Sequence, residues 1–244
     1  MRTQIVAHRG DRKNAPENTL IAYRQALAFD ELDILEIDVH LTKDRQLVVI
    51  HDEKIDRTTN KHGYVHEYTL AQLQAMDAGS WFDTQYANQH IPSLEEVLAL
   101  LREHNFKKTL LIEVKTDHIE YPDIEAYLLK RMQQEQPEYQ VIYQSFNLNT
   151  LIKLYQLDHT LILNALVFYP NIKVLKLYRK GIIKAINPDN RWFINRLFWY
   201  KKASVSPWTV NTEAAMRTIF KAQLGRIITD DVALAIKLRK EIQN

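Results

Sequence analysis

The feature that most constrains this chain of 244 residues is a repeated alternation of short extended apolar runs with amphipathic ones. Extended runs are read at 5–8, 34–40, 109–115, 140–144, 161–167, 182–187, 204–209 and 226–229, and most are nearly continuous in Ile, Leu and Val. That composition fits parallel strands covered on both faces. Helical runs are read near 19–29, 93–104, 122–134, 147–156, 171–179, 190–201, 212–222 and 231–242. Ser93, three residues ahead of Glu96, has the spacing of a capping box for the second helix. Eight β/α units in a chain of this length predict an α/β fold of the (β/α)8 or TIM-barrel type. A doubly wound open sheet shares the alternation but does not need eight units.

One stretch breaks the rhythm. About fifty residues, 41–92, separate the second extended run from the second helix. An ordinary strand-to-helix loop has about 2–6 residues. The stretch holds its own apolar run at 47–50 and a helical run at 69–76. It is therefore expected to form a small inserted subdomain over the barrel mouth, within a single domain spanning 1–244.

Composition narrows the function classes. Apolar residues at 46% and charged residues at 25% are ordinary for a globular chain and exclude disorder, collagen and coiled coil as whole-chain descriptions. There is no cysteine, which removes disulfides, thiolate metal sites and cysteine nucleophiles. With five glycines, no Gly-rich phosphate loop can be drawn. No apolar run approaches the ~18 residues of a membrane-spanning helix. The opening residues 1–8 lack a signal-peptide core, so a cytoplasmic location is expected.

The net charge of +2 is unevenly spread: residues 173–202 carry nine Lys/Arg against the single acid Asp189. An anionic partner near that stretch and an acidic site elsewhere would account for the asymmetry. Within it, residues 190–202 combine Trp192, Phe198 and Trp199 with Arg191, Arg196, Lys201 and Lys202. As a barrel helix this run would bury Phe193, Leu197 and Tyr200 on one face. Alternatively it provides a peripheral membrane contact. Nucleic-acid binding is not expected, because the only basic, aromatic stretch lies away from the acidic site.

In barrels of this type the chemistry gathers at the C-terminal strand ends. There the sequence places His8-Arg9-Gly10, Glu36-Ile37-Asp38, His51-Asp52 and Glu113-Val114-Lys115. Side chains alternate along a strand, so Glu36 and Asp38 share a face, as do Glu113 and Lys115. Three carboxylates directed into one mouth repel one another and lose hydration. A divalent cation removes the conflict, and all-oxygen ligands favour Mg2+ or Ca2+. His8 and His51 titrate near neutrality and suit proton transfer. The other seven histidines, at 40, 62, 66, 90, 104, 118 and 159, lack such company. Arg9 and Lys115 supply positive charge suited to phosphate. Metal, two histidines, Arg and Lys describe a phosphoester site.

These residues, with Pro16-Glu17-Asn18-Thr19, resemble the glycerophosphodiester phosphodiesterase family. So do Asp56-Arg57-Thr58-Thr59-Asn60, Asp77-Ala78-Gly79-Ser80-Trp81-Phe82, Ile91-Pro92-Ser93-Leu94-Glu95-Glu96-Val97-Leu98 and Trp208-Thr209-Val210-Asn211. The likeness runs from residue 5 to about 235. It implies a TIM barrel with a small insertion that uses one divalent cation, Mg2+ or Ca2+. The implied reaction splits a small-molecule glycerophosphodiester into an alcohol and sn-glycerol 3-phosphate. It further implies Glu36, Asp38 and Glu113 as metal ligands, His8 and His51 as the acid–base pair, Arg9 and Lys115 on the phosphate, and Trp208 at the mouth. Glu17 is read either as a helix-dipole acid or as a partner that orients Arg9. Asn18 or Thr19 is expected to cap the first helix. Two further readings keep the scaffold: lysophospholipase D-like cleavage of lysolipids, or a barrel that binds phosphodiesters without turnover. Sequence alone does not choose between water and the substrate's 2-hydroxyl as nucleophile, or say which His is the base.

Overall fold

The structure, a computed structural model, describes residues 2–194 and 205–243. Strands β1 (Gln4–Ala7), β2 (Ile34–Leu41), β4 (Thr109–Val114), β5 (Gln140–Ser145), β6 (Ile162–Val167), β7 (Ala185–Pro188) and β8 (Arg226–Thr229) run parallel in the spatial order β7-β6-β5-β4-β2-β1-β8. Between β7 and β8 the chain passes through 205–210. Trp208 N–H donates to the Pro188 carbonyl (3.0 Å), Ile228 N–H to that of Pro207 (3.1 Å), and Val210 N–H to that of Ile228 (2.8 Å). These bonds close the (β/α)8 barrel. Among the described residues, 205–209 of the strand expected at 204–209 are not a continuous strand: the isolated parallel bridges Ile186–Val205 and Asp189–Trp208 form there. Pro207 lacks a backbone donor, so it cannot supply a regular ladder.

Helices α1 (Leu20–Leu27), α3 (Leu94–Glu103), α4 (Ile124–Glu135), α5 (Leu148–Leu157), α6 (Ile172–Arg179), α7 (Asn190–Phe193), α8 (Glu213–Ala222) and α9 (Val232–Gln243) follow the strands. The start of α3 shows why these segments form. Ser93 Oγ accepts from Glu96 N–H while Glu96 Oε2 accepts from Ser93 N–H (2.8 Å), and Val97, Leu98 and Leu101 are fully buried. Thr19, not Asn18, caps α1. The basic, aromatic run expected at 190–202 is described only as far as Ile194. There Phe193 is fully buried, while Leu197, Phe198, Trp199 and Tyr200 lie outside the described residues.

The period-two pattern of the strands sorts their residues between two cores. Leu35, Ile37 and Val39 of β2 point outward into the layer between strands and helices. Ile34 points inward and joins Val6, Leu111, Ile142 and Ile228 in a floor across the barrel. Two residues further along these strands come His8, Glu36, Glu113, Gln144 and Asp230, so one step of the pleat carries the interior from hydrocarbon to charge.

Residues 42–93 form the inserted unit. Strand β3 (Leu47–Val49) pairs antiparallel with the end of β2, and a short helix α2 (Leu70–Gln74) follows. The unit has its own small core of Val48, Ile50, Ile55, Val65, Leu73, Met76, Ala78 and Ile91. No helix among the described residues is long and apolar enough to cross a membrane.

Candidate active site

Glu36, Asp38 and Glu113 come together because β2 and β4 pair in parallel with Asp38 beside Glu113. One oxygen from each carboxylate lies within 4.8 Å of the other two, and all three side chains are buried. Arg9 N–H donates to Glu36 Oε2 (2.8 Å), Asn18 Nδ2 to Asp38 Oδ2 (2.8 Å) and Lys115 Nζ to Glu113 Oε1 (2.8 Å). Asp38 Oδ1 is buried and has no hydrogen-bond partner. Burial, with the charges of Asp38 and Glu113, pushes the Glu36 carboxyl well above its ordinary pKa, and burial raises Glu113 despite Lys115. Burial alone would raise Asp38 too, but Arg9, His51 and Lys115 outweigh it and hold that group low. A buried cluster of oxygen donors with an orphaned oxygen and two carboxyls resisting ionisation is a set that a hard divalent cation fits.

His8 lies at the end of β1, where the chain turns sharply through Arg9 (φ 59°) and Gly10 (φ 84°). A Cβ on Gly10 would fall 2.7 Å from the backbone of Ala22, so this turn requires glycine. Nδ1 of His8 faces Asp230 Oδ1 at 2.6 Å. A carboxylate partner makes Nδ1 the protonated nitrogen and leaves Nε2 as the acceptor in the neutral ring. Burial and Arg9 hold His8 down to about 4, although Asp230 favours its charged form. His51, two residues beyond β3, has the same arrangement with Asp52 Oδ1 at 2.5 Å. Its backbone carbonyl accepts from His40 Nε2 (3.1 Å), and Tyr121 OH reaches His40 Nδ1 (2.9 Å).

The arginines are committed to carboxylates. Arg9 donates from Nη1 to Glu17 Oε1 (2.8 Å), and its Nε lies 3.2 Å from Asp38 Oδ2. Glu17 also accepts from both Nη atoms of Arg57 (2.9 and 2.7 Å) and pairs with Arg12 Nε (2.9 Å). Burial would raise Glu17, but these three guanidiniums pull it down to about 2. Of the two roles left open for Glu17, its contacts are those of a partner to Arg9, and they extend further.

The histidines, Arg9, Glu113, Lys115 and Trp208 line one cavity of about 480 Å3 at the C-terminal ends of the strands. Glu36 and Asp38 do not line it but are fully buried beside Glu113. Trp208 packs with Phe146 and Phe168 at centroid distances of 5.3 and 5.7 Å, forming an aromatic wall, and its Nε1–H donates to the Asn187 carbonyl. Asp230 and Arg12 were not singled out from the sequence, and His40 was set aside with the other histidines. Asp52, Arg57, Asn18 and Asn211 stand in the quoted motifs without a function at the site. Asp230 could have been found two residues beyond Ile228 on the inward face. His40 could have been found two residues beyond Asp38.

A model of the glycerophosphoryl diester phosphodiesterase family matches residues 8–234. A glycerophosphodiester phosphodiesterase of Caldanaerobacter subterraneus subsp. tengcongensis is 36% identical, over 98% of each chain. One from Bacillus altitudinis is 33% identical over 99% of this chain and all of its own. Among solved structures, an Oleispira antarctica phosphodiesterase in complex with the product sn-glycerol 3-phosphate superposes with a TM-score of 0.86. It is 24% identical and covers 98% of this chain and 97% of its own. A glycerophosphodiester phosphodiesterase from Agrobacterium tumefaciens gives a TM-score of 0.78 at 26% identity, over 96% of this chain and 99% of its own. With the family pattern matched from His8 to the last helix and the barrel shared, the chain belongs to the glycerophosphoryl diester phosphodiesterase family.

Proposed function

We propose that the chain hydrolyses small-molecule glycerophosphodiesters to an alcohol and sn-glycerol 3-phosphate. The observation that carries this reading is the convergence of His8, His51, Arg9, Lys115 and Glu113, the last from the buried carboxylate cluster, on one cavity in a member of this family. Glu36, Asp38 and Glu113 hold one divalent cation, Mg2+ or Ca2+. When bound, that ion neutralises charge on the phosphoryl oxygens. Lys115 lies beside the phosphate as a point charge, and Arg9 presents what its carboxylate contacts leave free. Trp208 closes one side. One histidine takes the proton of the nucleophile through Nε2, and the other gives a proton to the departing alkoxide. The nucleophile is water, or the substrate's own 2-hydroxyl by way of a cyclic phosphate that water then opens.

A second reading has a specific observation behind it. A mainly apolar groove of about 390 Å3, lined by Leu148, Val167, Tyr169, Asn171 and Val174, has Phe146, Leu166, Phe168, Asp117 and His118 in common with the main cavity. Phe168 and Tyr169 are 58% and 62% exposed. The same hydrolysis could then act on lysolipids, with the single chain along the groove.

The experiment is a substrate panel of glycerophosphocholine, glycerophosphoethanolamine, glycerophosphoglycerol and lysophosphatidylcholine, with and without EDTA. Release of sn-glycerol 3-phosphate from the first three, abolished by EDTA and restored by Mg2+ or Ca2+, is the expected result. Faster turnover of lysophosphatidylcholine than of glycerophosphocholine would favour the second reading. No turnover of any diester would sink both.

A further inference from the structure

Both histidines are held by an aspartate, each aspartate by an arginine, and both arginines meet on Glu17. The two arms are unequal. On the His51 side, Arg57 grips Glu17 through two bonds (2.9 and 2.7 Å). It grips Asp52 through two more, Nε to Oδ2 at 2.7 Å and Nη2 to Oδ1 at 3.1 Å. On the His8 side, Arg12 reaches Asp230 only at 3.3 and 3.4 Å. Asp230 is anchored independently by Asn211, which donates to its Oδ2 (2.6 Å) and accepts from its N–H (2.9 Å). Paired bonds from two nitrogens of a planar guanidinium fix orientation, whereas two long contacts from one nitrogen do not.

We propose that Glu17 is a positioning residue that acts through Arg57 and Asp52 to fix the ring of His51, while His8 is held without it. This rests on the phosphodiesterase reading for its consequence on rate, but not for its geometry. A buried carboxylate fixes Arg57, which reaches in from the inserted unit. Arg57 leaves Asp52 one orientation, and Asp52 keeps the proton of His51 on Nδ1 with Nε2 turned to the substrate. Removal of such an outer partner typically costs about 10–100-fold in activity. Glu17 also touches Arg9, so a competing route runs through Asp38 and the metal site.

A double-mutant cycle separates the two routes. Glu17→Gln should lower kcat on glycerophosphocholine by about 10–100-fold with little change in KM. The same substitution should cost almost nothing further in a His51→Ala background, yet keep its full cost in His8→Ala. Equal losses in both backgrounds would mean that Glu17 acts through Arg9 or through general stability, and would overturn the proposal. Arg57→Lys, at a half-exposed position that the fold tolerates more readily, should reproduce the same pattern and covers the case of a Glu17→Gln chain that does not fold. A second readout needs no turnover. In 15N-histidine spectra, either substitution should move His51 away from the Nδ1–H tautomer and leave His8 on it. Unchanged His51 signals would overturn the proposal, whereas an inactive wild type with the expected tautomer change would overturn only the assigned activity.

Discussion

Three buried carboxylates within 4.8 Å of one another, one with an orphaned oxygen, are costly unless a cation joins them. Glu36→Gln keeps the shape and removes one ligand charge. It should weaken divalent-cation affinity by about tenfold or more, measured by calorimetric titration with Mg2+ and Ca2+ and by the metal dependence of kcat. Unchanged affinity would remove Glu36 from the ligand set. The histidines can be tested separately. Proton transfer by a positioned group contributes about 10²–10⁴-fold, so His8→Ala and His51→Ala should each lower kcat by that order with the fold intact. A variant that retains half of the wild-type rate would reduce its histidine to a structural role. Residue-scale chemistry was legible where it depends on one strand: the period of two places Glu36 with Asp38 and Glu113 with Lys115. It was less legible where it depends on which strands become neighbours. Asp230 meets His8 across 222 residues of sequence because the first and last strands pair with Ala7 beside Thr229; the pleat alone turns Asp230 inward but does not say which residue it meets.

At the scale of elements, the insertion is part of the site. Strand β3 extends β2 in antiparallel pairing, and Ile50 N–H donates to the Asp38 carbonyl (3.2 Å), which brings His51 beside the carboxylate cluster. Arg57 returns from the same unit to Glu17. The break in rhythm at 41–92 was legible because no strand-to-helix loop is so long. That the unit would deliver one histidine and the arginine that steadies it was not, since this depends on how β3 pairs. The 204–209 run shows the opposite failure. Its apolar residues read as a strand, and Val205 and Trp208 do pair as one, but Pro207 prevents a full ladder. The small core of the insertion leads to a prediction. Leu73 is fully buried in it, and Leu→Ala at such a site costs about 2–5 kcal/mol. Limited proteolysis of Leu73→Ala should cut within 42–93 well before the barrel, with kcat falling in parallel, because local opening follows local stability. Cleavage no faster than in wild type would show that the unit is held by the barrel and not by its own core.

At the scale of the whole molecule, Glu17 ties together segments far apart in sequence. Arg9 and Arg12 come from the first strand end and Arg57 from the insertion, while Asp230, which Arg12 also touches, follows the last strand. Such a junction should be felt in acid. Burial opposes ionisation of Glu17, but Arg57, Arg9 and Arg12 prevail and bring its pKa to about 2, against 4.5 for an ordinary glutamate. Where the unfolded chain binds a proton and the folded chain does not, stability falls as pH falls. The contribution is therefore complete above about pH 5. It declines as pH drops through 4.5, and it is gone once pH falls through 2. At full extent it is on the order of 3 kcal/mol. The carboxyls of Glu36 and Glu113, raised by burial, bind protons more readily in the folded state and have the opposite sign, so the acid limb of the wild type alone mixes the two effects. The difference between wild type and Glu17→Gln isolates the junction. Urea denaturation should show the variant less stable by a constant amount from pH 7 to pH 5, with the gap narrowing steadily between pH 4.5 and 2.5. A gap of the same size at pH 7 and pH 2.5 would mean that the lost stability comes from packing and neutral hydrogen bonds, and that the three arginines do not depend on the charge of Glu17.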